Sequence, residues 1–154
     1  MPDTATPELN ELNLQEQLPA KFGRFILHQR IGAGGMGVIY RATMTGMAGF
    51  RKTVAVKCIL PHLSTSTPEF IDSLIAEAKI AVLMEHPNII QIYDLGRVGE
   101  QFYISMEYVA GESMAHVATR FYGQKRRMPF AAVATMIVQV CRGLHYAHTL
   151  KGPD

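Results

Sequence analysis

The chain has 154 residues, 48% of them hydrophobic, with a net charge of +2 and two cysteines. That length and apolar content suffice for one buried core, and the mild charge balance gives no ground for nucleic-acid or anionic-membrane binding. Cys58 and Cys141 are too far apart for a metal-ligand or redox motif, so a reducing cytoplasm is the expected setting.

The first 20 residues carry Asp3, Glu8, Glu11 and Glu16 with no Lys or Arg and no apolar run. This predicts a disordered acidic tail over 1–21 and no secretory signal. RFILHQRI then reads as a strand, IGAGGMG as a glycine cluster and VIYRATM as a second strand. TGMAGFR reads as a turn whose Met47 and Phe50 are expected to pack back on the sheet. KTVAVKCIL is a third strand with β-branched residues on alternate positions. Thr67-Pro68 suits an N-cap followed by proline at the first helical position, and EFIDSLIAEAKIAVLM has helical periodicity.

After the break at His86-Pro87-Asn88, IIQIYDLGRV and QFYISMEYV read as two strands around Val98-Gly99-Glu100. Helical patterns follow near 112–122 and over about 130–149. The apolar run at 131–141 is shorter than the ~20 residues a bilayer span requires, so no membrane segment is expected. The order predicts an α+β fold: a five-stranded antiparallel sheet with one helix, leading into a helical region.

The glycines pose the functional question. Gly32, Gly34 and Gly37 have G-x-G-x-x-G spacing, which in a dinucleotide fold opens a helix. Here the strand-like VIYRAT follows, so that reading fails. A glycine-rich hairpin remains, able to bring backbone amides close to phosphate oxygens. Downstream, Lys57 shares a strand face with Ala55 in an otherwise apolar segment. Glu77 follows Leu74 by three residues and Phe70 by seven, which predicts a carboxylate on the apolar helix face. Such a carboxylate requires a cationic partner, and Lys57 is the candidate.

Gly32-x-Gly34-x-x-Gly37-x-Ile39, Val54-Ala55-Val56-Lys57, Glu77, His86-Pro87-Asn88 and Met106-Glu107-Tyr108-Val109 together resemble the amino-terminal lobe of a eukaryotic-type protein kinase. The GGMGVIY wording is most similar to bacterial serine/threonine kinases. The resemblance implies that the loop Gly32, Ala33, Gly34, Gly35, Met36 and Gly37 covers the phosphates of ATP. It also implies that Lys57 binds the α- and β-phosphates while pairing with Glu77. Ile31, Ile39 and Ala55 would enclose the adenine, with Met106 as gatekeeper, Glu107 and Val109 offering backbone hydrogen bonds, and Met114 beneath the ring. Residues 22–109 would then be the ATP-binding lobe and 110–154 the hinge exit and part of a helical lobe.

The family's chemistry also needs a His-Arg-Asp loop and an Asp-Phe-Gly magnesium ligand. Neither occurs in the chain, so no metal ligand is assigned and Mg²⁺ is expected only with those segments. Asp94-Leu95-Gly96 resembles a variant of the second motif but falls before the hinge, and it reads as a strand end. The last helix carries Val133, Ile137, Val140, Leu144 and Ala147 at helical spacing, a stripe expected to face water or a partner. A fragment, a truncated product and a natural half-kinase are all compatible with this pattern. The basic trio Lys125-Arg126-Arg127 reads as a solvated turn, with docking of an acidic peptide as the alternative. For the intact enzyme the expectation is transfer of the ATP γ-phosphoryl to a protein substrate. The alternative is a non-catalytic nucleotide-binding or scaffolding module.

Overall fold

The computed structural model describes residues 18–60 and 68–150. Most of the acidic tail and the Thr67 cap lie outside the described residues. One mixed-length antiparallel sheet dominates: β1 (Ala20–Phe22), β2 (Phe25–Gly34), β3 (Gly37–Thr45), β4 (Arg51–Ile59), β5 (Ile92–Val98) and β6 (Gln101–Glu107). Its six strands run in the order β1-β2-β3-β4-β6-β5. The helices are α1 (Pro68–Val82), α2 (Met114–Gly123) and α3 (Phe130–Thr149). Because α1 separates β4 from β5, the chain returns at the far edge and the β5–β6 hairpin inserts β6 next to β4.

The sheet has six strands where the sequence predicts five. The extra strand is β1, in register with β2 through Ala20↔Leu27 and Phe22↔Phe25. Ala20 and Lys21 therefore belong to the sheet and not to the tail. Three residues are too few to carry a period-2 signal, and what makes them a strand is the complete burial of Phe22. Gly23 turns the chain into β2 at φ 54°, and a Cβ there would come within 2.7 Å of a Val98 methyl. Backbone conformation and crowding both require glycine at this corner.

β2 and β3 are longer than expected and meet through the glycine cluster itself. Gly34 pairs with Gly37, leaving only Gly35 and Met36 as the turn. Register shifts between Leu27 and Gln29 and between Arg30 and Gly32 insert His28 and Ile31 as extra residues, and such bulges add twist and re-aim a strand end. The β3–β4 connection is a short 3₁₀ turn, Met47–Gly49. Met47 and Phe50 are exposed there, contrary to the expectation that they pack back. Ala48 and Gly49 both take left-handed backbone conformations in this turn.

Residues directly opposite in an antiparallel pair share a face. Val38, Tyr40 and Ala42 of β3, Val54, Val56 and Cys58 of β4 and Tyr103 of β6 thus form one wall, closed by Phe22, Phe25 and Leu27. Tyr103 meets Phe22 and Phe25 edge-on at ring-centroid distances of 5.7 and 5.1 Å, the favoured geometry for aromatic pairs. Ile39, Ala55, Lys57, Ile104 and Met106 fall on the opposite face.

The helical part is joined to the sheet through the His86-Pro87-Asn88 loop. Asn88 Nδ2 donates to the Gln139 carbonyl at 2.9 Å, and the Glu85 N–H donates to the Tyr146 hydroxyl at 3.2 Å. The His86 and Tyr146 rings lie 5.1 Å apart. Gly143 is the buried position of α3, where a Cβ would approach the Asn88 carbonyl at 3.2 Å. By length and composition α3 is apolar enough to cross a membrane. It carries Gln139, Arg142, His145 and His148 along its length, and only about 6% of its apolar stretch is buried. Ile137, Val140 and Leu144 of its stripe are exposed, as expected.

Candidate active site

The four clustered glycines do not share one reason. A Cβ on Gly37 would run into the Cys58 carbonyl oxygen, so the close approach of β3 to β4 demands glycine there. At Gly34 and Gly35 an added Cβ would meet nothing within 4 Å, and neither residue has a positive φ. At Gly32 an added Cβ would make only ordinary contact with Ile39. Three glycines therefore carry an entropic cost that the fold itself does not require. They leave the hairpin tip, Ala33 to Met36, open to whatever approaches from outside.

Lys57 extends from the middle of β4, between Ile39 of β3 and Ile104 of β6, and is half-buried. Ala55, only 4% exposed, lies between Arg41 and Met106 on the same face. The register thus gathers Ile39, Ala55, Lys57 and Met106 beside the glycine hairpin. Ile31 stands apart from this register, displaced by the bulge and exposed. Behind Lys57, the Cys58 thiol points into the core, where burial pushes its pKa up to about 12. It is an unreactive neighbour.

The end of β6 is fixed by reciprocal bonds. The Glu107 N–H donates to the Gln91 carbonyl at 2.8 Å, and the Gln91 N–H reaches Glu107 Oε2 at 3.4 Å. Two residues on, Val109 is 63% exposed and makes no hydrogen bond to other described residues. Met114 opens α2 behind Ser113, whose hydroxyl caps the helix by accepting from the His116 N–H at 3.2 Å.

Glu77 departs from expectation. It is exposed, and among the described residues the ion pairs are Arg24–Asp94, Arg97–Glu100 and His116–Glu112. Lys57 and Glu77 do not pair in this arrangement. The cause is the rotation of α1, which buries Ala78. Ile75, Ala78, Lys79 and Val82 face Leu95, Arg97 and Phe102 across a groove of about 580 Å³. Leu95 and Arg97 share the Lys57 face of the sheet through Ile104 and Phe102. The helix thus lies on the correct side with its carboxylate turned outward.

Asp94 is accounted for without a metal: its Oδ2 accepts from Arg24 at 2.7 Å and from the Tyr103 hydroxyl at 3.0 Å. One polar group escapes a reading of the sequence. Arg41, opposite Ala55, holds a buried Nε with no hydrogen-bond partner among the described residues. Strand alternation places it on the Lys57 face, and only the pairing register reveals this.

Residues 25–151 match the protein kinase domain family model. The chain is 39% identical over 128 residues to the tyrosine-protein kinase MasK of Myxococcus xanthus, covering 82% of this chain and 20% of that protein. It is 33% identical over 131 residues to the serine/threonine-protein kinase PknA of Mycobacterium tuberculosis, covering 82% of this chain and 28% of PknA. Among solved structures, the kinase domain of Mycobacterium tuberculosis PknI superimposes with a TM-score of 0.64 at 27% identity, over 84% of this chain and 50% of that one. The chain thus spans about half of a solved kinase domain and a smaller share of its curated relatives.

Proposed function

The chain belongs to the protein kinase family, and on that premise we propose that it forms the ATP-binding half of a serine/threonine kinase, the native protein transferring the γ-phosphoryl of ATP to protein hydroxyls. One observation carries this reading: neither crowding nor a positive φ requires glycine at 32, 34 and 35, and these residues adjoin a sheet face bearing Lys57, Ile39, Ala55 and Met106. Open amides at the hairpin tip suit phosphate oxygens. The Lys57 ammonium supplies a point charge for the α- and β-phosphates. Ile39, Ala55 and Met106 offer an apolar sheet face for the adenine, with backbone groups at Glu107 and Val109 to orient it.

Among the described residues no three His, Cys, Asp or Glu side chains cluster as a metal site. Magnesium, which the family's chemistry requires, would be held by the nucleotide's phosphates and by the Asp and Asn of motifs that do not occur in these 154 residues. Serine or threonine is the proposed acceptor because relatives such as PknA are named serine/threonine kinases; the 39%-identical relative MasK is named a tyrosine kinase, so both acceptors are assayed. The cytoplasm is the proposed location.

Kinase activity requires the Lys–Glu pair to be in place, so α1 must turn to bring Glu77 to Lys57. The outward Glu77, together with the exposed stripe of α3, favours as second reading a non-catalytic nucleotide-binding or scaffolding module. Titrating the native protein with Mg-ATP, and assaying transfer to serine- and tyrosine-containing protein, separates the two. Binding with transfer is expected. Binding without transfer assigns the nucleotide-binding module, and absence of nucleotide binding overturns the kinase reading and leaves only the scaffolding module.

A further inference from the structure

α2 ends in a turn whose residues contradict its backbone. The Lys125 N–H donates to the Tyr122 carbonyl at 2.9 Å, and the Arg126 N–H donates to the Phe121 carbonyl at 2.9 Å. With Gln124 as C-cap, these are the two bonds of a Schellman motif, whose left-handed residue is usually glycine. Here that residue is Lys125, at φ 53°. Lys125 thus holds a charged side chain at a position that glycine usually fills.

The motif folds Lys125, Arg126 and Arg127 back against the last turn, which already holds Arg120. All four are exposed, and none enters an ion pair among the described residues. The helix dipole accounts for Arg120 but not for three cations beyond the cap. Arg126 lies over the Phe121 ring, and Tyr122 and Phe130, each 86% exposed, flank the group. The surface therefore offers four positive charges interleaved with aromatic faces.

The chain contains a segment of matching chemistry. Residues 1–17 hold Asp3, Glu8, Glu11 and Glu16, no Lys or Arg, and Leu9, Leu12 and Leu14 between the acids. We propose that the basic turn at the end of α2 is the docking site for this acidic amino-terminal segment of the same chain. Charge number and the alternation of acids with leucines match the cations and aromatics. Covalent attachment raises the segment's effective concentration at any site within its reach. The inference stands apart from the nucleotide reading, because it concerns neither Lys57 nor the glycines.

Carbodiimide coupling of the native protein, read by peptide mass spectrometry, tests it. Lys125 should be joined to an acid within residues 1–17 in monomeric protein. The yield should fall at least about fivefold in 1 M salt, where the screening length is about 3 Å. Arg126→Glu with Arg127→Glu should suppress the linkage, and adding Glu8→Lys with Glu11→Lys should restore a linkage between the two segments. Coupling that is absent, salt-insensitive or confined to cross-linked dimers overturns the proposal. So does binding of the turn to anionic vesicles undiminished by the acidic segment, which would identify a membrane surface instead.

Discussion

Arg24 holds Asp94 at 2.7 Å across 70 positions of sequence. The contact joins the β1–β2 corner to the edge strand β5, so the two ends of a six-stranded sheet curl toward each other. Tyr103 adds a second donor to the same carboxylate oxygen at 3.0 Å. The ion pair itself is about half exposed, at 48% and 36%, and surface pairs contribute only about 0–1 kcal/mol. The tyrosine bond is better shielded. Asp94→Ala should therefore destabilise by about 1–2 kcal/mol, more than Arg24→Ala, and denaturant titration of both variants ranks them. Equal losses would mean that the ion pair carries the effect alone.

The glycines separate into two classes with opposite expected behaviour. Gly37→Ala forces a Cβ against the Cys58 carbonyl and should destabilise by about 1–3 kcal/mol. Gly34→Ala and Gly35→Ala meet open space, and stability should stay within about 0.5 kcal/mol. Under the proposed function they should nevertheless weaken ATP binding, which calorimetry reads directly. Unchanged affinity in both would remove the phosphate role from the hairpin tip.

Glu77 is the sharper test of mechanism. Because it is exposed and enters no ion pair among the described residues, Glu77→Ala should leave the unfolding midpoint nearly unchanged. Turnover of the native protein should fall on the order of 10² or more, the scale for a lost electrostatic support. Lys57→Met should abolish turnover and weaken ATP binding. Near-normal rates in either variant would refute the pairing and leave α1 as a structural helix.

How legible the fold and site are depends on how strongly each face is biased. Val54, Val56 and Cys58 alternate against Ala55 and Lys57, so β4 can be read with its inward face. The helical spacing of Ile137, Val140 and Leu144 likewise marks the stripe of α3. Helix α1 has apolar residues at Ile71, Ile75, Ala78, Ile80, Val82 and elsewhere around its circumference. Several rotations bury similar area, and the sequence does not select the one that turns Glu77 outward. β1 is not legible because three residues acquire their structure from Phe22 and its partners. The Arg24–Asp94 contact and the burial of Arg41 Nε arise from register and curl, which no local pattern encodes.

The Cys58 thiol makes stability depend on alkaline pH. Its folded pKa is about 12 against an ordinary value of 9.0, raised by burial. Between those values the unfolded chain loses a proton that the folded chain keeps, so stability falls as pH rises, by about 1.4 kcal/mol per pH unit. Tyr103, also raised, chiefly by burial and then by Asp94, acts in the same direction above its ordinary value of 10.0. Cys58→Ala should flatten the slope measured from pH 9 upward. A slope identical to the parent's would show that the thiol ionises without unfolding.

Lys125 connects backbone strain to charge. At φ 53° in the left-handed position of a Schellman turn, a side chain costs about 1 kcal/mol that glycine does not. Lys125→Gly should therefore stabilise the protein, raising the midpoint by roughly 2–4 °C for a chain of this size. Lys125→Ala keeps the strain and should not. A stabilising glycine means that the lysine is retained at the expense of stability, as expected of a residue whose charge engages the acidic segment. If glycine brings no gain, the turn accommodates lysine without strain, and the backbone argument for the docking surface falls.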